Sequence, residues 1–276
     1  MGSSALSLEI RTPSDSSELS ACVALQQRVW GFQDSHLFSA SLVECCRVAG
    51  GTLIGAWLGG DLVGFALTVP AVLNGELIHH SHMLAVLPGL RNQGIGRSLK
   101  EAQRQALRGS VDRVTWTFDP LESRNANLNF NKLGVRFGAY YVNFYGEETG
   151  SDLHAGLGTD RFLVVWDLEA PRLPLRAVKG VDEVIPLIRL GARSDPITAD
   201  WIDQPQWPAQ RVTVEIPPDI QHLKKQEPSG ARNWREMTRK AFTLGLKREY
   251  SVSGFLFGEQ ADGRSTGAYL LEQRTL

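Results

Sequence analysis

The sequence predicts a mixed α/β fold, and two observations support this prediction. Over about the first 170 residues, segments in which apolar residues alternate, as in strands, are interspersed with segments in which they recur at helical spacings. After that point the composition changes, because nine of the thirteen prolines lie at residue 171 or later. We therefore expect a larger domain over residues 1–170, followed by a proline-rich connector and a small α/β subdomain over residues 171–276.

The composition argues against several classes of protein. The 276 residues are 42% hydrophobic, which provides ample chain to bury a core. The net charge of −1 offers no basic surface for nucleic acid, and no apolar run approaches the roughly 20 residues of a membrane helix. Three cysteines without C-x-x-C spacing favour a reducing compartment and inert thiols. We expect a cytoplasmic protein with no nucleic-acid or membrane partner and no metal, and the sequence leaves a homodimer open.

The first 70 residues predict a strand, two helices and a hairpin. Apolar residues alternate over residues 6–10, and a helix with cap residues at its start follows to about residue 30. A second helix is expected over residues 39–48. Two strands between residues 52 and 70 are joined by Gly59-Gly60-Asp61, which favours a hairpin turn.

The most informative stretch covers residues 83–100, MLAVLPGLRNQGIGRSLK. It begins as a strand, turns at Pro88-Gly89, and then passes through a glycine-rich loop. It ends as a helix whose apolar positions are Ile95, Leu99, Ala102 and Ala106. The first amide N–H groups of a helix lack intrahelical partners and the helix dipole adds positive charge there, so this corner predicts an anion site. Gly94 and Gly96 let the backbone approach the anion closely because they have no Cβ.

Two other phosphate-binding motifs do not fit this stretch. A dinucleotide fingerprint needs a third glycine where Leu99 stands, and a Walker A loop needs a lysine where Gly96-Arg97-Ser98 has arginine. What remains is the pattern Leu84-x-Val86-x-Pro88-x-x-Arg91-x-x-Gly94-x-Gly96. This pattern resembles the acyl-CoA pyrophosphate loop of the GNAT acyltransferase superfamily. The predicted order of strands and helices around it is also the order expected of a GNAT fold.

The resemblance implies an acyltransferase that moves an acetyl or other short acyl group from acyl-CoA directly to an amine of an unidentified acceptor. It implies that the loop holds the pyrophosphate, and that the pantetheine adds as a strand beside the backbone of Leu84, Ala85 and Val86. A backbone amide of that strand would stabilise the tetrahedral oxyanion. The implied loop residues are Arg91, Asn92, Gln93, Gly94, Ile95, Gly96 and Arg97.

Three histidines lie in the strand before the loop. Because side chains alternate, we expect His80, His82, Leu84 and Val86 on one face of that strand. The resemblance places His82 where many GNAT enzymes have a glutamate that deprotonates the substrate amine. Histidine suits that task, directly or through water, because its ordinary pKa lies near 6.5. The alternatives are that the histidines are hydrogen-bonded strand residues or part of an adventitious metal cluster.

Asp119 follows a predicted strand over residues 113–118. In the GNAT fold this strand splays away from the preceding one and the pantetheine arm enters the gap, so the resemblance implies that Asp119 faces the active site. There it would orient the substrate or a histidine. The alternative is a turn or cap residue, because Pro120 and a predicted helix follow.

The next predicted helix, over residues 123–133, resembles the GNAT pattern N-x-x-A-x-x-x-Y-x-K-x-G. The asparagine of that pattern contacts CoA and the tyrosine protonates the leaving thiolate. Here Ser123 replaces the asparagine and Phe130 the tyrosine. Asn125 or Asn127 is expected to take over the CoA contact. For the proton there are three alternatives: the thiolate leaves unaided or protonated by water, the chain is not a catalyst, or a tyrosine serves, namely Tyr140, Tyr141 or Tyr145.

The remaining chain predicts strands over residues 139–145 and 161–168, with a long loop over residues 146–160 between them. This loop either covers the acceptor site or is a surface loop without a function. Residues 171–218 are expected to be mostly irregular until a strand at 211–216. A helix over residues 231–246 and strands over 251–257 and 268–272 follow. That helix carries three arginines on one face, Arg232, Arg235 and Arg239. We expect them either to attract an acidic substrate or partner or to form an ordinary ion-paired surface.

Two other functions compete with acyl transfer. Phe130 and the missing glutamate motivate a CoA-binding sensor or interaction protein without catalysis. A nucleotide-binding module with a degenerate phosphate loop would bind ATP or NAD more tightly than CoA.

Overall fold

The computed structural model describes residues 7–31, 37–147, 151, 153–170, 184–259 and 265–274. The helices are α1 Ser16–Trp30, α2 Ala40–Val48, α3 Ile95–Leu107, α4 Ser123–Ala126, α5 Ile220–Gln226 and α6 Pro228–Lys247. The strands are β1 Leu8–Arg11, β2 Leu53–Leu58, β3 Asp61–Leu73, β4 Glu76–Val86, β5 Arg113–Phe118, β6 Arg136–Tyr141, β7 Arg161–Asp167, β8 Ile185–Leu190, β9 Pro196–Thr198, β10 Arg211–Ile216, β11 Tyr250–Glu259 and β12 Ser265–Gln273. No helix among the described residues is long and apolar enough to cross a membrane.

The strands form two sheets, which makes the fold class mixed α/β as predicted. The first has seven strands in the order β1-β2-β3-β4-β5-β7-β6, and the second has five in the order β11-β12-β10-β8-β9. In the first sheet β1 to β4 form antiparallel pairs and β5 runs parallel to β4. The second sheet also mixes both pairings, since β10 is antiparallel to β12 and parallel to β8.

The chain divides into two compact units. The first comprises residues 1–116, 150–153 and 166–170, and the second comprises residues 117–149, 154–165 and 171–276. The division falls within β5 and within β7. The predicted boundary near residue 170 therefore does not coincide with the bounds of these units, because residues 117–149 are grouped with the C-terminal residues.

The first unit has an apolar core on each face of its strands. On one face α1 and α2 pack over Phe65, Leu67 and Met83. On the other face α3 packs over Ala56 and Ala66 through Ile95 and Leu99. Since α3 begins directly after the glycine loop, this packing fixes the N-terminus of α3 at the end of β4.

The core of the second unit is built from aromatic rings. The ring of Phe162 lies 4.7 Å from that of Phe242 in α6 and 5.1 Å from that of Tyr269 in β12. Such edge-to-face contacts each add to the free energy gained by burying the rings. Side chains from β7, α6 and β12 thus share one core, although 107 positions separate Phe162 from Tyr269 in the chain.

Several predicted elements are confirmed with close bounds. Helix α1 ends at Trp30 and begins after Asp15, whose carboxylate accepts the amides of Ser17 and Glu18. The predicted bounds of β5 and β10 are those observed. The predicted first strand is observed as Leu8–Arg11, and Leu6 lies outside the described residues.

Two predictions about the later chain are wrong. Residues 171–218 contain β8 and β9 in addition to β10, and the proline content hid them. Pro186 is tolerated in β8 because β9 pairs only with residues 188–190 of that strand, and Pro196 begins the edge strand β9. The strand predicted over residues 139–145 is observed as Arg136–Tyr141, because Asn143 adopts a positive φ of 48°.

The predicted helix over residues 123–133 is present but is not uniformly α-helical. After the single turn of α4 the chain continues as a π-helix over Asn127–Leu133, and Gly134 closes it with a φ of 74°. The side-chain amide of Asn131 donates to that of Asn127 across 2.9 Å. Two of the asparagines of this segment therefore bond to each other within the helix.

Candidate active site

The predicted anion site has the expected backbone geometry. A short 3-10 helix, Pro88–Leu90, follows β4, and the loop then reaches Gly94, which caps α3 in the left-handed conformation with a φ of 84°. A Cβ built on Gly94 would meet no atom within 4 Å, so the space beside this residue is open. The first amides of α3, which lack intrahelical partners, thus lie next to open space, a geometry that suits an anion such as a phosphate group.

The side chains of the loop project around this helix end. Arg91, Asn92, Gln93, Gly94 and Arg97 are exposed, whereas Ile95 is buried under α3. The Arg91 Nε donates to the carbonyl of Val86 across 3.3 Å. This bond ties the arginine to the end of β4 and leaves its terminal nitrogens for an anion.

The parallel ladder between β4 and β5 is short. It joins His79 to Val114 and His80 to Thr115 and ends there, although β4 continues to Val86. Residues 84–86 pair with β3 on their other side. Along the edge that faces away from β3, their backbone groups are therefore positioned to accept an added strand.

The expected alternation along β4 is interrupted at His82. The pairing with β3 runs from Leu67–Met83 to Thr68–Ser81, so His82 is the extra residue of a β-bulge. The expectation that His80, His82, Leu84 and Val86 share one face is therefore wrong beyond the bulge. Leu84 and Val86 pack on the side of α3, whereas the ring of His82 lies 4.9 Å from that of Phe38, on the side of α1 and α2.

The three histidines have different surroundings. His79 is buried and its Nδ1 lies 3.0 Å from the Thr68 hydroxyl, while the Nδ1 of His80 lies 3.1 Å from the Thr115 hydroxyl. Burial, together with the charges of His82 and Lys100, lowers the pKa of His80 to about 4. Part of His82 reaches solvent, and its partial desolvation lowers its pKa below 6.5. His82 is therefore the most accessible of the three and is neutral at pH 7.

A metal cluster was one alternative for these histidines. The part of the chain that the structure describes holds no group of three His, Cys, Asp or Glu side chains arranged for a metal ion.

Lys100 of α3 is buried, which was not predicted from the sequence. Lys100 is 1% exposed, and its Nζ donates to the Ser81 hydroxyl across 2.6 Å and lies 3.7 Å from the centre of the Trp116 ring. Burial lowers its pKa to about 7. The buried face of α3 includes Lys100, Gln103 and Leu107, so the prediction that Ala106 belongs to that face is wrong. Leu107 at i+8 from Leu99 was the available sequence signal.

Asp119 lies in the second unit, and its carboxylate is bound by several neighbouring groups. It is 6% exposed, accepts the Leu121 amide at 2.8 Å, and pairs with Arg235 at 2.5 Å and Arg161 at 3.8 Å. Burial works to raise its pKa, but the two guanidinium groups outweigh burial and hold the pKa below its usual value. Asp119 thus stays ionised and bound to these partners, which fits the alternative of a structural residue better than a free catalytic group.

Arg235 and Arg239 of α6 do not belong to an ordinary ion-paired surface, so that interpretation of the arginines is wrong for these two residues. Arg235 is 3% exposed and pairs with Asp119. Arg239 forms two hydrogen bonds with the carboxylate of Asp160, at 2.7 and 2.9 Å, and Asp160 also accepts the Tyr140 hydroxyl at 2.5 Å. These arginines therefore neutralise buried carboxylates of the same unit.

The candidate proton donors also lie in the second unit. The carboxylate of Asp160 and burial hold the pKa of Tyr140 above its ordinary value. The Tyr145 side chain is 45% exposed and its hydroxyl lies 3.2 Å from that of Thr117. Phe130 packs against Phe118 and Tyr269 at 6.3 and 6.0 Å, so the ring that replaces the tyrosine of the pattern is part of the aromatic core.

The remaining predicted positions are partly described. Asn125 is exposed and Asn127 is half-buried on the π-helix segment. In the loop over residues 146–160, His154 contacts Arg161, with 2.6 Å between the His154 Nε2 and the arginine Nη2. Residues 148–150 and 152 of that loop lie outside the described residues, so its predicted position over the acceptor site stays a prediction.

Comparison with known proteins found a family model that matches part of the chain. Residues 19–134 match the model of the acetyltransferase (GNAT) family. No curated protein matches the sequence.

Similar solved structures include three acetyltransferases. The ribosomal-protein-S18-alanine N-acetyltransferase from Escherichia coli is 18% identical, with a TM-score of 0.47, and the match covers 60% of this chain and 96% of that protein. A GNAT-family acetyltransferase from Streptococcus pneumoniae is 16% identical with a TM-score of 0.47, over 58% and 98% of the two chains. The PaiA N-acetyltransferase from Thermoplasma acidophilum, solved with coenzyme A, is 15% identical with a TM-score of 0.41, over 59% and 99%.

Proposed function

Because residues 19–134 of this chain match the model of the acetyltransferase (GNAT) family, we propose that the protein transfers an acetyl or other short acyl group from acyl-CoA to an amine. One observation carries the proposal. The left-handed Gly94 opens α3 directly after β4, and the ladder of β4 with β5 ends at His80. An open strand edge and a helix N-terminus suited to a pyrophosphate thus lie next to each other in the chain, as the adjacent pantetheine and pyrophosphate groups of CoA would require.

In the proposed reaction the amine nitrogen attacks the thioester carbonyl carbon. A C–N bond forms, the C–S bond breaks, and the tetrahedral oxyanion between them accepts a hydrogen bond from a backbone amide in residues 84–86. The amine loses one proton to His82 or to water, and CoA leaves as a thiolate that takes up a proton. The protein contributes mainly by positioning the two reactants.

His82 is the proposed base. Support comes from its place in the β-bulge, its partial exposure and its neutral state at pH 7, which follows from the lowered pKa. We propose Tyr145 as proton donor to the thiolate in preference to Tyr140, because the Tyr140 hydroxyl is bound to the Asp160 carboxylate. Asp119 is assigned no step, since Arg235 and Arg161 already pair with it.

Calorimetric titration with acetyl-CoA tests the proposed site. We expect the wild type to bind, and we expect Arg91→Glu to lose about tenfold or more in affinity because it removes a charge-assisted contact and adds repulsion. The matched control is Arg232→Glu, which makes the same charge change at an exposed position of α6 and should bind like the wild type. Failure of the wild type to bind acetyl-CoA would refute the proposal.

The rival function, CoA binding without catalysis, draws support from Phe130, which offers no hydroxyl. Turnover assays with a panel of amines separate the two. Thiol release that depends on an amine and disappears in His82→Ala would exclude the rival. Tight acetyl-CoA binding with no thiol release from any amine would favour it.

A further inference from the structure

A buried polar cluster lies between β4 and α3, and the proposed reaction does not use it. The Lys100 Nζ donates to the Ser81 hydroxyl, and that hydroxyl lies 3.3 Å from the Gln103 side-chain oxygen. Lys100, Ser81 and Gln103 are 1%, 6% and 0% exposed. The cluster is therefore shielded from water on the side of α3.

The cluster has more hydrogen-bond donors than acceptors. The Lys100 ammonium group offers three donors, and its partners among the described residues are the Ser81 hydroxyl and the face of the Trp116 ring, neither of which is a carboxylate. The Gln103 side-chain nitrogen is buried and has no hydrogen-bond partner. Lys100 contacts the Ser81 hydroxyl through its ammonium group, whereas Gln103 accepts from that hydroxyl through its amide oxygen and leaves its amide nitrogen without a partner. Buried donors are normally satisfied, so the unfilled donors of these two side chains point to a missing acceptor, and a carboxylate has two oxygens that could satisfy both.

The position of the cluster indicates which ligand brings that acceptor. The last ladder pair between β4 and β5 is His80 with Thr115, and the next residue of each strand is Ser81 and Trp116. Both of these side chains contact the Lys100 ammonium group. Lys100 therefore lies at the point where the two strands stop pairing, which is the inner end of the edge that would receive the pantetheine and its acyl group.

We propose that the preferred acyl-CoA carries a carboxylate at the far end of a short acyl chain, and that Lys100 and Gln103 bind this carboxylate. The inference rests on the proposed function, because it needs the pantetheine to lie along β4. A purely structural role, in which Lys100 holds β4 and β5 together and binds no ligand, fits less well. If Lys100 only braced the two strands, the Gln103 nitrogen would still lack a partner.

Calorimetry with matched pairs of acyl-CoA esters tests this inference. Succinyl-CoA and butyryl-CoA have equal chain lengths and differ in the terminal carboxylate, as do malonyl-CoA and propionyl-CoA. We expect the wild type to bind the acid of at least one pair about tenfold or more tightly than its neutral counterpart, the effect of one charge-assisted hydrogen bond. In Lys100→Met the preference should vanish while acetyl-CoA affinity stays within about twofold. The control is Lys225→Met, which removes an exposed lysine of α5 and should keep the preference.

The outcomes separate the two proposals. Equal binding within both pairs, or a preference that survives Lys100→Met, would overturn this inference. If at the same time acetyl-CoA binding still depends on Arg91, the proposed function stands. If no CoA ester binds, both fall together.

Discussion

Replacing Lys100 by methionine should stabilise the folded protein at neutral and acidic pH. The substitution keeps a similar side-chain volume and removes a charge from a site that is 1% exposed. Burial lowers the pKa of this lysine from 10.5 to about 7, a difference of about 3.5. At about 1.4 kcal/mol for each tenfold change, the charged form costs at most about 5 kcal/mol. The lost hydrogen bond to Ser81 and the lost contact with Trp116 offset part of this, so we expect a gain of about 2–4 kcal/mol.

The sign of the pH dependence follows from the direction of the pKa change. Because the folded pKa lies below the unfolded pKa, protonation favours the unfolded chain. The charged Lys100 therefore lowers the free energy of unfolding by its full amount below about pH 7. This destabilisation decreases as the pH rises from 7 to 10.5 and is absent above pH 10.5. Below pH 6.5 the folded chain is also destabilised because His80 stays neutral until about pH 4, and the charge of Lys100 contributes to this, so Lys100→Met adds to its advantage there.

Urea denaturation of the wild type and of Lys100→Met at pH 6, 8 and 10 measures this difference. We expect the advantage of the variant to be largest at pH 6 and to decrease steadily toward pH 10. Lys225→Met, at an exposed site, should differ from the wild type by about 0.5 kcal/mol or less at every pH. A variant less stable than the wild type at pH 6, or an advantage that does not change with pH, would refute the reasoning.

Three further predictions concern other parts of the site and fold. Asp119→Asn should lower the free energy of unfolding by about 3–5 kcal/mol in urea melts, because it leaves Arg235 buried without its charge partner; a loss below about 1 kcal/mol would contradict this. Gly94→Ala should weaken acetyl-CoA binding severalfold in calorimetry, because a φ of 84° costs a residue with a Cβ about 1–2 kcal/mol; unchanged affinity would argue against the loop geometry. If His82 is the base, kcat/KM of the wild type should fall as the pH drops through its lowered pKa, below 6.5, and this acid limb should be absent in His82→Gln.

The fold of the first unit was largely predictable because its signals are local. Alternation and helical spacing located β1 to β5 and α1 to α3, and cap residues such as Asp15 fixed their starts. The anion loop was predictable for the same reason, since Gly94 and the first turn of α3 lie within a few residues of each other.

The features that escaped prediction depend on contacts between distant residues. The bulge at His82 is defined by its register against β3, which no periodicity within β4 reveals. The burial of Lys100 depends on Ser81 and Trp116, 19 residues before it and 16 after it. From the sequence, Asp119 was expected to orient the substrate or a histidine, or to be a turn or cap residue, because Arg235 of α6, its partner, is 116 residues away in the chain.

The pairing of Asp119 with Arg235 sets an order on the maturation of the chain as it leaves the ribosome. At a synthesis rate of about 5–20 residues per second, Arg235 emerges roughly 6–23 seconds after Asp119. During that interval neither Asp119 nor Asp160 has its α6 partner, Arg235 or Arg239. The second unit therefore reaches its native packing only after α6 has been synthesised, so a chain that stops near residue 170 would keep these carboxylates permanently without their α6 partners.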